Sequence, residues 1–204
     1  MMEMLFWLQH DDSPKYQYAY EDITLLGYSS TICPRCSRRV ATPQYSNDQP
    51  SLVLEGGRIY PDYLQFCGAG KSLFLVSEKA LEVLETNKIS GYAGYQSVTF
   101  ESMVSCNNVV HKPNYYNLNI TGRIDFDVVA MHIKKKRLCH ECGQFEWSRM
   151  RLDPIILDMT TWDGADLCLL DSIPGYRLCS QNVKKLIQKY KLTGFSLKAC
   201  DMSQ

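Results

Sequence analysis

The chain has 204 residues, of which 45% are hydrophobic and 22% charged, so it can bury a core without covalent staples and is not a disordered or disulfide-scaffold sequence. Its 22 Lys and Arg residues balance its 22 Asp and Glu residues, which excludes a global field favouring a polyanion or a membrane surface. No apolar stretch approaches the roughly 18 residues that a membrane helix needs.

The start, MMEMLFWLQHDD, has no basic lead and no small-residue cleavage site. It predicts a first β-strand and a cytoplasmic protein. ICPRCSRRV follows, with Cys33 and Cys36 two residues apart and Arg35, Arg38 and Arg39 around them. The next residues, SRRVATPQY, do not read as a helix, and residues 42–50, with Pro43, Asn47, Asp48 and Pro50, have the composition of a surface connection. CGAGKSLF imitates a phosphate-binding loop. The full pattern requires glycine where Gln65 stands and a helix where LFLV reads as a strand, so the motif is discarded.

LFLVSEKALEVLETNKISGY, residues 73–92, predicts a short strand, a helix capped by Ser77 and a turn at Gly91 into the next strand. Residues 101–139 alternate in the manner of strands interrupted by a loop around residues 111–116. They end in the basic run HIKKKRLC and the second pair, Cys139 and Cys142, in LCHECGQF. TWDGADLCLLDSIPGY supports two readings. One is an Asx-type turn with Trp162 packed on the core; the other is an exposed acidic and aromatic patch, Trp162, Asp163 and Asp166, that binds a basic partner. YRLCSQNVKKLIQKYKLTGF, residues 176–195, then repeats the 73–92 unit without a gap, matching Ser77 to Ser180, Leu84 to Ile187 and Gly91 to Gly194.

The cysteine pairs keep the same rhythm, each lying a similar distance upstream of its capping serine. The expected fold is therefore α+β: one domain, 1–204, of two related β-α-β-containing halves with small sheets, about 1–105 and 106–204. Two Cys-x-x-Cys knuckles supply the four thiolates of a tetrahedral zinc shell, and four sulfurs close that shell against substrate. The expectation is one structural Zn²⁺ per chain, held by Cys33, Cys36, Cys139 and Cys142 and clamping distant segments. A thioredoxin-like redox pair would need a helix after the motif. A zinc deaminase would need His-x-Glu before Pro-Cys-x-x-Cys. Neither pattern is present. The other cysteines, Cys67, Cys106, Cys168, Cys179 and Cys200, stand singly and read as small hydrophobes. The basic residues Arg35, Arg38, Arg39 and Lys134 to Arg137 read first as compensation for a four-thiolate metal site, and second as the patch of a zinc-ribbon nucleic-acid binder.

Together the CPRC knuckle, the later CHECG pair, the run DPIILDMTTWDGADLCLLDSIPGYRLCSQNVKKLI and the terminal KLTGFSLK resemble the bacterial double-CxxCG immunity proteins of polymorphic toxin systems. The resemblance is specific over residues 139–197 and looser over 32–100. One departure is that CPRCS lacks the glycine after its second cysteine. The resemblance implies a small, non-enzymatic cytoplasmic protein that binds and blocks a cognate secreted toxin, with Cys33, Cys36, Cys139 and Cys142 at the metal positions. It implies no fixed set of toxin contacts.

Overall fold

The computed structural model describes residues 4–21, 27–37, 39–44, 52–67, 73–103, 113–133, 135–142, 145–147, 155–171 and 173–203. It is broadly an α+β fold, mostly sheet. In chain order the elements are β1 (Leu5–His10), β2 (Gln17–Glu21), β3 (Gly27–Ile32), β4 (Arg39–Gln44), β5 (Leu52–Gly56), β6 (Tyr63–Cys67), β7 (Leu75–Ser77), α1 (Glu78–Thr86), β8 (Tyr92–Val98) and β9 (Phe100–Met103). There follow β10 (Tyr115–Ile120), β11 (Gly122–Phe126), β12 (Lys135–Leu138), β13 (Phe145–Trp147), β14 (Ile156–Asp158), β15 (Leu167–Leu170), β16 (Ile173–Ser180), α2 (Gln181–Lys189), β17 (Phe195–Ala199) and β18 (Asp201–Ser203). Among the described residues no helix is long and apolar enough to cross a membrane.

Two seven-stranded sheets have the orders β8-β10-β7-β6-β2-β5-β9 and β17-β1-β16-β15-β11-β14-β18, and β3-β4 and β12-β13 form separate hairpins. The sheets use the same pairings position by position. β2 runs parallel to β6 and antiparallel to β5, as β11 does to β15 and β14. At one edge β5 is parallel to β9, as β14 is to β18. The registers match too: Tyr115 pairs with Ser77 where Leu5 pairs with Ser180.

Each sheet nonetheless borrows one strand. β1 joins strands β11 and β14 to β18 between β16 and β17, and β10 joins strands β2 and β5 to β9 between β7 and β8. The sheets are accordingly larger than the small ones expected from sequence.

Both helices begin as expected. The Ser77 hydroxyl accepts from the Ala80 amide at 3.2 Å, and the Ser180 hydroxyl from the Asn182 amide at 3.2 Å, supplying acceptors for amides that the helix leaves unpaired. Past each helix the expected glycine turns are present, with positive φ at Gly91 and Gly194, but the helix ends themselves lie earlier. The left-handed residues directly after the C-caps are Lys88 and Lys191, with φ of 53° and 50°. Amide bonds from Ile89 to the Leu84 carbonyl and from Leu192 to the Ile187 carbonyl, each 3.0 Å, close both ends in Schellman fashion.

Gly91 and Gly194 answer a separate need. A Cβ on Gly91 would stand 2.1 Å from the Leu167 carbonyl oxygen, and one on Gly194 2.3 Å from that of Tyr63. Close backbone approach to the opposite sheet, with φ of 96° and 82°, therefore dictates glycine at both.

The central core takes Ala80, Leu81, Val83 and Leu84 from α1 and Val183 and Ile187 from α2, with Phe6 and Leu8 of β1, Leu118 and Ile120 of β10, and Tyr63 and Leu167. Burying each Leu or Ile removes enough apolar surface to contribute about 1.5–3 kcal/mol. Outer clusters line each sheet separately: Leu5, Ile124, Phe126, Leu157 and Leu178 on one, and Leu52, Leu54, Leu64, Leu75 and Tyr115 on the other. Of the expected connections, residues 42–44 belong to β4 and residues 115–116 open β10. Residues 45–50, 68–72 of the phosphate-loop imitation and 104–112 lie outside the described residues.

Candidate metal centre

Each Cys-x-x-Cys pair sits at the tip of one two-stranded hairpin. Ile32 ends β3, the chain turns through Pro34 to Cys36, and the Ser37 amide donates to the Cys33 carbonyl at 2.9 Å before β4 begins. Proline at the second position of such a turn pre-sets the φ that it requires. Ser37 adopts φ 57°, the left-handed region. A serine there accepts a strain of about 1–2 kcal/mol. Its counterpart by spacing after Cys142 is Gly143, which falls outside the described residues together with Gln144. The place of the glycine that CPRCS lacks is thus taken by a serine in the left-handed region, at an energetic cost.

The two hairpins belong to different parts of the topology, β3-β4 lying in the chain between β2 and β5, and β12-β13 between β11 and β14. Their tips nevertheless converge. The Sγ atoms of Cys33 and Cys139 are 3.7 Å apart and those of Cys36 and Cys142 3.6 Å, and all four lie within 4.8 Å of one another. Bonded sulfurs would be about 2.05 Å apart, so these are not disulfides. Four thiolates about 2.3 Å from one tetrahedral ion stand about 3.8 Å from each other, close to the observed edges. The four residues fit a metal ion.

Burial and electrostatics agree with that use. Cys33 and Cys139 are buried, and Cys36 and Cys142 half-buried. The Cys142 backbone amide, then the Glu141 amide and the neighbouring thiols, hold the Cys139 pKa down at about 6 against an opposing effect of burial. The other described cysteines are different. Burial pushes the thiols of Cys168 up to about 12 and of Cys200 up to about 11, and that of Cys179 up as well, which makes them inert core residues as their single spacing suggested. Cys67 is described only as part of β6, and Cys106 lies outside the described residues.

Around the knuckles, Arg35 and His140 are exposed, Arg39 and residues 135–137 are placed as strand backbone, and Arg38 and Lys134 lie outside the described residues. The strand after CPRC is β4, so the helix a thioredoxin-like motif requires does not follow it.

Trp162, Asp163 and Asp166 fall in the segment between β14 and β15. The Trp162 indole donates to the Ala165 carbonyl at 3.1 Å, and its ring packs on the outer cluster of the β11-β15-β16 sheet. The Asp163 carboxylate accepts from the Ala165 amide at 3.0 Å and the Arg123 amide at 2.9 Å, an Asx turn. Asp166 accepts from the Ser180 hydroxyl at 2.6 Å, the Ser90 amide at 3.1 Å, the Ser90 hydroxyl at 3.0 Å and the Asn182 side-chain amide at 3.2 Å. Their polar atoms are engaged within the chain.

Asp62, unremarked in the sequence, is the counterpart of Asp166. It accepts from the Ser77 hydroxyl at 2.8 Å, and from the Thr193 amide and hydroxyl at 2.8 and 3.0 Å. Each carboxylate therefore ties the capping serine of one helix to the Ser or Thr that follows the other helix. A comparison of PDY before Ser77 with ADL before Ser180 carries the signal that finds this pair. Arg177 was likewise not legible; only 8% exposed, it donates to the Leu73 carbonyl and, at 3.3 Å, to the Tyr63 hydroxyl.

No known family model matches the chain, and no curated protein matches it.

Proposed function

We propose that the protein is a bacterial cytoplasmic immunity protein, a non-enzymatic binder that neutralises a cognate secreted toxin by covering its active site or substrate path. The observation that carries this reading is the convergence of two knuckles, 106 residues apart in sequence, on one four-sulfur site. Four thiolates complete a tetrahedral shell and leave no open position for substrate, so the metal, read as Zn²⁺ from the all-sulfur donor set, has a structural task. The motif resemblance over residues 139–197 supplies the biological context, and the matching sheet orders support a reading of two related halves, about 1–105 and 106–204, in one domain.

Zinc supplies no chemistry to a reaction in this scheme. Cys33, Cys36, Cys139 and Cys142 hold it, and binding energy spent on joining the hairpins is folding energy that fixes the surface offered to the toxin. Co-expression with the toxin encoded beside it tests the proposal. Growth should be restored and the two proteins should co-elute on gel filtration. Toxicity that persists, with no complex formed, overturns it.

A further inference from the structure

The duplicated helix units agree in their caps and in the faces they bury, and differ in what they show to solvent. With Ser77 set on Ser180, Leu81, Glu82, Glu85 and Thr86 of α1 correspond to Lys184, Lys185, Gln188 and Lys189 of α2. Residues 78–88 hold three glutamates and two lysines, whereas residues 181–191 hold four lysines and no carboxylate. Lys185, Lys189, Tyr190 and Lys191 are exposed, the tyrosine at 36%. Lys184 is half-buried where α1 buries Leu81, and its ammonium group stands 4.0 Å from the centre of the Phe6 ring, a cation–π contact on the flank of the helix.

Nothing within the chain calls for this arrangement. Among the described residues no carboxylate pairs with Lys184, Lys185, Lys189 or Lys191, while Lys79 of α1 pairs with Asp62 at 3.4 Å. The first turn of α2 holds no acidic residue to meet the positive end of the helix, where α1 places Glu78. Lys189 and Lys191, at the C-terminal end, suit the helix dipole. Lys184 and Lys185 gain nothing from it, and Lys185 faces Lys189 at a spacing of four, where like charges repel. An acidic neighbour from outside the chain would remove that repulsion.

We propose that the exposed face of α2 docks on an acidic surface of the partner protein, whose carboxylates pair with Lys185, Lys189 and Lys191 while Tyr190 supplies the apolar contact. The inference deepens the toxin-binding reading and rests on it. Charge complementarity gives the sign of the partner surface, and the size of the patch gives its kind. The helix is about 14 Å long, and the chain that carries it has no net charge with which to steer a nucleic acid. An exposed phenol among the lysines is the type of anchor that protein interfaces favour.

The test measures binding of the zinc-loaded protein to the toxin encoded beside it, by calorimetry at about 50 mM and about 300 mM salt. At the lower salt, Lys185→Glu with Lys189→Glu should weaken the complex at least about tenfold. The neutral pair Lys185→Gln with Lys189→Gln, which keeps good helix formers in place, should fall between this variant and wild type. The differences should shrink at the higher salt as screening sets in. On the other helix, Glu82→Gln with Glu85→Gln should leave the affinity within about twofold of wild type. Equal affinity of wild type and both lysine variants, or an equal loss in the α1 variant, overturns the docking surface and leaves the immunity reading standing. A wild-type protein that does not bind the toxin overturns both. Unchanged toxin affinity together with lysine-dependent binding of a short duplex DNA or single-stranded RNA probe replaces the protein partner with a nucleic acid. Unchanged toxin affinity with lysine-dependent self-association on gel filtration replaces it with the acidic α1 face of a second copy. Either result overturns the proposal.

Discussion

Substituting each of the tying aspartates by asparagine separates what the two carboxylates contribute. In Asp62→Asn one acceptor oxygen becomes an NH₂ group. If that group faces Thr193, it meets the backbone amide that Asp62 accepted at 2.8 Å, donor against donor. If it faces Ser77, it meets a hydroxyl that already accepts from the Ala80 amide, and the hydroxyl hydrogen loses its acceptor. Either arrangement loses one charge-assisted bond at a residue only 8% exposed, a loss of about 2–3 kcal/mol. Lys79, whose side chain is 55% exposed and 3.4 Å away, adds little to this.

Asp166 makes the same pattern of bonds but is more open to water, which can replace part of what is lost, so Asp166→Asn should cost about 1–2 kcal/mol. Urea unfolding at pH 7 with saturating zinc measures both, read as a shift in midpoint at constant m-value. For a chain of this size Asp62→Asn should lower Tm by about 5–10 °C. The reasoning fails if Asp62→Asn lies within about 0.5 kcal/mol of wild type, or if Asp166→Asn is the costlier change. The pH dependence supplies a second reading. Burial raises the Asp166 pKa, but bonds from Ser180, Ser90 and Asn182 outweigh it and hold the carboxyl below its ordinary 3.8. Its contribution is therefore fully present above pH 3.8 and lost as pH falls through the lower folded value, so the gap between wild type and Asp166→Asn should be constant near neutrality and close in strong acid.

The metal reading predicts one zinc per chain by elemental analysis, and loss of at least about 3 kcal/mol on chelation or in Cys139→Ser, seen as a lower unfolding midpoint; an equally stable metal-free protein would refute the clamp. Ser37→Gly should stabilise the protein by about 1 kcal/mol in the same unfolding assay, because the left-handed turn is then free of Cβ strain. Gly194→Ala should destabilise far more than Gly94→Ala. Both have positive φ, but a Cβ at 194 collides with the Tyr63 carbonyl oxygen and one at 94 meets nothing within 4 Å; equal melting temperatures for the two variants would contradict the close-approach account.

Several parts of this molecule could be read from local sequence. The helices α1 and α2 follow from apolar positions at steps of three and four behind a capping serine, interactions that span only a few residues. The clustering of the four cysteines follows from thiol chemistry and motif spacing, because two Cys-x-x-Cys knuckles can supply the four sulfurs of one tetrahedral shell. The helix ends were less legible, since Lys88 and Lys191 take the left-handed position and give no compositional signal for it. Trp162 and Asp163 illustrate the same limit. An aromatic beside an acidic residue does not reveal its own hydrogen-bond partners, and the Asx turn at Asp163 emerges only once Ala165 and Arg123 are placed.

By itself, then, the sequence determined the two serine-capped helices with their buried faces and the four cysteines that the fold brings together. Only the tertiary structure decided that β1 joins the sheet of β11 and β14 to β18 and β10 that of β2 and β5 to β9, and that Asp62 and Asp166 tie each helix start to the segment after the other helix. The reason is physical. A strand's alternation specifies which face it buries but not which strand lies beside it, and hydrogen bonds between residues more than seventy positions apart leave no periodic trace in either partner.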